Sequence, residues 1–179
     1  MIGSASLLSF QNTIFDRSYY RNILSNETLY GMIGYYLHSG DEQSADMFTP
    51  YIWGTSGLGK RIKDQFKDND FGTDLDLILI KYYMEGKFSS YLPLEPKMGN
   101  YLSKSKDIGL DIGVTREAFH DRNEFERREF VVDSTMKAVM LAHKRLSKRK
   151  LNINFELLTN KLQIIARDFL IAEEKYSSI

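Results

Sequence analysis

Residues Gly54-Thr55-Ser56-Gly57-Leu58-Gly59-Lys60 fill the first seven positions of G-x-x-x-x-G-K-[ST], a loop whose backbone N–H groups surround a phosphate. The eighth position should carry a hydroxyl for magnesium, and Arg61 stands there. Such a loop should also leave a buried parallel strand, whereas Met47 to Trp53 contains Pro50, and no apolar run ending in an acid follows to hold the metal. A glycine turn leading into a helix accounts for the same residues.

A second constellation is Gly72-Thr73-Asp74-Leu75-Asp76-Leu77-Ile78, joined by Leu110-Asp111-Ile112 on a later strand. Acids at i and i+2 of a strand project to the same side, and a third from a neighbouring strand would complete a magnesium site for phosphoryl or nucleotidyl transfer. The pair resembles the D-x-D strand of the nucleotidyltransferase superfamily over about Gly54 to Val114, which implies Asp74, Asp76 and Asp111 as metal ligands. The superfamily's glycine-serine signature lies closer to its acids than Gly54 does to Asp74. The bland alternative is that the two acids mark the solvated start of an apolar strand.

Other chemistry finds less support. His38, His120 and His143 are far apart and none belongs to a zinc-binding helix pair, so no metal or other cofactor is expected. His143 falls near a helix end, where interaction with terminal carbonyls is the ordinary role. No Gly-x-Ser-x-Gly elbow occurs. With no cysteine there is no thiol nucleophile, thiolate metal site or disulfide framework, which fits a reducing cytoplasm. The run Lys144 to Lys150 places five cations in seven positions, yet it lacks flanking aromatics for base stacking and reads as a solvated helix end.

Composition points the same way. The chain has 179 residues with 24 basic and 24 acidic side chains, so a single domain with a real core, spanning 1–179, is expected. Zero net charge argues against a nucleic-acid coat or a polybasic membrane anchor. The N-terminal residues do not resemble a secretion signal, and no apolar run approaches the ~20 residues of a membrane helix. The balance is uneven along the chain. Residues 1–100 carry 9 basic and 12 acidic side chains, and Asp41 to Asp76 alone carries 4 and 8. Aromatic anchors flanked by acids suit the recognition of a basic protein, which makes Asp41, Glu42, Asp46, Tyr51, Trp53, Asp68 and Asp70 candidate partner-binding residues. Burial of Tyr51 and Trp53 in the core is the commoner fate of such residues.

The elements that must position these groups follow from periodicity. Ala5 to Ile14 and Arg17 to Leu37 read as mostly helical, and Ser39 to Glu42 as an exposed loop. Leu58, Ile62 and Phe66 recur at helical spacing. Asp74 to Met84 reads as a buried strand, with Glu85-Gly86-Lys87 as a hairpin turn into Phe88 to Leu92. Ile108, Leu110, Ile112 and Val114 alternate with Gly109, Asp111 and Gly113, which places the apolar set on one strand face. Asn123 with Glu126 predicts a helix start, followed by a stripe of Phe125, Val132, Met136, Val139, Met140 and Leu146. A last helix shows Phe155, Leu158, Leu162, Ile165 and Phe169 at spacings of three and four. The expected fold is α+β: a small, mostly antiparallel sheet packed by N- and C-terminal helices.

The block from Asp107 to Phe119 (DIGLDIGVTREAF), continued from Arg127 to Val139 (RREFVVDSTMKAV), resembles small bacterial immunity proteins that neutralise polymorphic or contact-dependent toxins. The resemblance implies a cytoplasmic, non-enzymatic protein that binds one cognate toxin domain and blocks its active site or its activation. Toxins of this kind are often nucleases with basic active-site surfaces, to which an acidic face would be complementary. The richness in contact-forming aromatics, 11 Tyr and 11 Phe, agrees with a binder.

Overall fold

The computed structural model describes residues 32–38, 42–66, 77–84, 96–98, 107–148 and 154–172. Strand β1 (Met32–His38) is followed by helices α1 (Glu42–Trp53) and α2 (Leu58–Phe66). Strands β2 (Leu77–Met84), β3 (Lys97–Met98) and β4 (Asp107–Val114) come next. Helices α3 (Arg116–Phe119), α4 (Glu124–Ser147) and α5 (Phe155–Ile171) complete the order.

The sheet order is β1-β2-β4-β3. Here the expectation of a mostly antiparallel sheet is overturned. β1 pairs with β2 in parallel from Met32↔Leu77 to His38↔Tyr83, and β2 with β4 in parallel from Leu77↔Asp107 to Met84↔Val114. Among the described residues only the two-residue edge strand β3 runs antiparallel, against Asp111 and Leu110. The physical reason lies in the connections: α1 and α2 fill the crossover between β1 and β2, and a crossover returns the chain in the same direction. The near-continuous apolar run of β2 is what a strand covered on both faces requires. The hairpin turn at 85–87 and the strand at 88–92 lie outside the described residues, as do Asp74 to Asp76 and the expected helices up to residue 31. Residues 32–37, expected as helix, are strand instead. Within this strand Ile33 and Tyr35 are buried on the same side of the sheet.

One sheet face makes the core. Ile33 and Tyr35, then Ile78, Ile80, Tyr82 and Met84, then Ile108, Leu110, Ile112 and Val114 are all buried. Helix α1 reaches this face through Phe48, whose ring lies 4.7 Å from that of Tyr82. Helix α4 reaches it through paired hydroxyls: Tyr82 with Ser134 at 2.7 Å and Tyr35 with Thr135 at 3.0 Å. These bonds let two polar tyrosine ends stay inside without an unsatisfied group. The opposite face carries Gly34, Leu79, Lys81, Tyr83, Gly109, Asp111 and Gly113, by the strict alternation of strand side chains.

Several local expectations hold. Asn123 caps α4, accepting from the Glu126 amide while Glu126 accepts from the Asn123 amide, both at 2.9 Å. In α5 the five stripe residues are all buried, and so are Leu58, Ile62 and Phe66 of α2. The stripe of α4 holds in part: Val139 and Leu146 are buried, and Val132 and Met136 pack partly buried against the core. Val131, Ser134, Thr135, Ala138, Val139, Ala142 and Leu146 face inward, whereas Phe125 and Met140 are 46% and 63% exposed.

Candidate partner-binding surface

Helix α1 divides the candidate aromatics between core and surface. Asp46, Pro50 and Trp53 stand at i, i+4 and i+7, share one helix face, and are exposed. Trp53, the single tryptophan of the chain, is 42% exposed. Tyr51 turns inward instead, its ring meeting that of Phe119 edge-on at 5.2 Å. Its hydroxyl donates to Glu124 Oε2. Burial raises the pKa of that hydroxyl, and the hydrogen bond to Glu124 adds to the rise.

Glu124 is the first residue of α4, where the helix dipole favours a carboxylate. Its Oε1 accepts from Arg128 Nε at 3.0 Å, and Arg128 also donates to the Phe169 carbonyl at 3.0 Å. The Arg128 guanidinium lies 4.9 Å from the centre of the Phe169 ring. α1, α4 and α5 are thereby tied together at one end by Tyr51, Glu124, Arg128 and Phe169. Beside this tie opens a cavity of about 250 Å3, with Asp46, Met47, Pro50 and Ser56 also on its wall. A second concavity, about 450 Å3, lies between α4 and α5 and is lined chiefly by Phe125, Val132, Met136, Ala166, Leu170 and Ile171. Since Glu124 and Phe125 are neighbours, the first turn of α4 separates a polar cavity from an apolar groove.

Of the candidate partner-binding residues, the structure brings Asp46 and Trp53 to one exposed face and withdraws Tyr51 except for its hydroxyl. Glu42 opens α1, and Asp41, Asp68 and Asp70 lie outside the described residues. The apolar groove and the Glu124–Arg128 pair escaped the sequence reading. A signal was present: α4 carries more apolar positions than one helix face can hold, so a second face had to be anticipated.

The phosphate-loop residues serve packing. They follow helix α1, not a strand, and form the tight turn into α2. A Cβ on Gly57 would stand 2.6 Å from the Ile52 carbonyl oxygen, and one on Gly54 2.5 Å from that of Pro50. Lys60 pairs with Asp64 of its own helix, and Arg61 Nε donates to the Ser56 carbonyl at 2.9 Å. Of the proposed metal ligands, Asp74 and Asp76 lie outside the described residues. Asp111 instead pairs with Lys81 Nζ at 3.0 Å, on the sheet face opposite Ile78 and Ile80. Among the described residues no group of three His, Cys, Asp or Glu is placed to hold a metal ion. His143 stacks on Phe155 at 3.9 Å rather than capping carbonyls. Lys144, Arg145 and Lys148 are exposed at the end of α4, with Arg149 and Lys150 outside the described residues.

Exposed aromatic and apolar side chains held on rigid helices are the makings of a contact surface. The family model described as Immunity protein 44 matches residues 39–168, which takes in every described helix except the end of α5. The chain belongs to this immunity protein family. No curated protein and no solved structure matches it. Among the described residues, no helix is long and apolar enough to cross a membrane.

Proposed function

We propose that the protein is a bacterial, cytoplasmic immunity protein that neutralises a cognate toxin domain by binding it, without catalysis of its own. The family match over residues 39–168 carries this reading. The exposed face of α1 is the contact surface, with Trp53 as its aromatic anchor and Asp46 as a steering charge, and Asp41, Glu42, Asp68 and Asp70 of the acidic stretch are further candidate contacts by their chemistry. Tyr51 contributes by fixing Glu124 beneath that face.

The test takes as partner a toxin domain encoded beside this gene, identified from its genomic neighbourhood. Co-expression of the chain should restore growth of cells making that domain, and an equimolar amount of purified chain should abolish the toxin's activity. Trp53→Ala should weaken the complex by at least about tenfold, since truncating an aromatic anchor costs about 2 kcal/mol or more, with an unchanged melting temperature. Full toxin activity in the presence of excess chain refutes the proposal.

A further inference from the structure

We propose that the cavity between α1 and the first turn of α4 receives an arginine side chain of the partner protein. This deepens the reading of the chain as a toxin-binding protein and rests on it. A volume of about 250 Å3 equals roughly eight waters at about 30 Å3 each, comparable with the roughly seven non-hydrogen atoms of one arginine side chain. It is too small for a helix or a folded loop.

Met47 and Pro50 offer apolar wall to an aliphatic stem, and Asp46, Glu124 and Ser56 offer acceptors to its polar end. The cavity's own wall already shows how it holds a guanidinium: Arg128 is gripped by the Glu124 carboxylate, the Phe169 carbonyl and the Phe169 ring together. Arg128 balances the charge of Glu124. Across the cavity Asp46 makes no ion pair with the described residues, so one negative charge is left to be matched. A planar, weakly hydrated guanidinium suits carboxylates set beside aromatic rings better than an ammonium does. Trp53, on the same face of α1 as Asp46, stands ready to cover the residue that carries the arginine.

The experiment titrates the full-length chain with acetyl-Gly-Arg-Gly-amide and with its citrulline counterpart, in which a neutral urea of the same shape replaces the guanidinium. Backbone amide NMR shifts of Met47 and Ser56 report occupancy. The arginine peptide should move them saturably, and the citrulline peptide should bind at least about tenfold more weakly, because charge-assisted bonds are lost. Asp46→Asn should weaken the arginine peptide in the same direction, Asp46→Glu should retain it, and Asp133→Asn, on a distant exposed turn of α4, should leave it unchanged. Equal binding of the two peptides, or no shift with either, overturns the inference. If the toxin domain is neutralised while the arginine peptide fails, the cavity assignment falls and the immunity reading stands. If the peptide binds and the toxin is untouched, the immunity reading falls alone.

Discussion

Replacing Asp111 by alanine removes the carboxylate that pairs with the Lys81 ammonium inside the sheet. Lys81 is 1% exposed and Asp111 15%, with the charged atoms 3.0 Å apart. Burial lowers the Lys81 pKa despite the attraction of Asp111, so desolvation outweighs the Coulombic gain even in the intact pair. Removing one partner of such a pair costs about 3–5 kcal/mol, and the partial solvent access of Asp111 favours the lower end. For a domain of this size about 3 kcal/mol corresponds to a fall in Tm of roughly 6–12 °C. Lys81→Met leaves a carboxylate that solvent can reach and should cost less. The double variant Lys81→Met/Asp111→Leu removes both charges and should return to within about 1 kcal/mol of the wild type. The pH dependence has a definite sign. A lysine with a depressed folded pKa leaves the unfolded chain holding more protons, so wild-type stability rises as pH climbs through that folded pKa toward 10.5. In Asp111→Ala the rise should begin at lower pH. Urea unfolding of the four proteins between pH 6 and roughly 10 measures both effects. A single-variant loss under about 1 kcal/mol, or a double variant as unstable as Asp111→Ala, refutes the reasoning.

Further outcomes follow from other contacts. Burial pushes the Tyr82 hydroxyl up to about 12, against the smaller lowering by its bond to Ser134. A raised folded pKa means stability fully present below pH 10 and lost as pH approaches about 12. Alkaline melting curves of Tyr82→Phe should therefore show a shallower loss over that window. Gly57→Ala should lower stability by about 1–3 kcal/mol in urea titration, because its Cβ meets the Ile52 carbonyl. Lys60→Ala, which loses only an exposed pair, should stay within about 0.5 kcal/mol. Asn123→Ala should cost about 1 kcal/mol by calorimetry, since it opens the capping box of α4.

Asp111 was legible as a charged residue in an apolar strand, but its role was decided by the register that sets it opposite Lys81. With glycines on the same β4 face at 109 and 113, Asp111 is the β4 side chain available to that lysine. The glycine-rich stretch before Lys60 matched a phosphate loop in letters alone. Whether it follows a strand or a helix is a property of the segment before it, and α1 is a helix with Pro50 inside. Trp53 and Tyr51, two residues apart, looked equivalent in the chain, and helical geometry sends them to different sides.

What the sequence determined by itself is the set of features whose physics closes within a few residues. These are the Asn123–Glu126 cap, the buried stripes of α2 and α5, and the one-sided alternation of β4. Tertiary structure alone decided that β1, β2 and β4 run parallel, which face of α4 meets the sheet, and that Asp46, Ser56, Glu124 and Arg128 surround one cavity. Strand direction depends on what fills the crossover, and the orientation of a helix with two apolar faces depends on which neighbour competes for each. Both are settled only when segments distant in the chain bury their surfaces together.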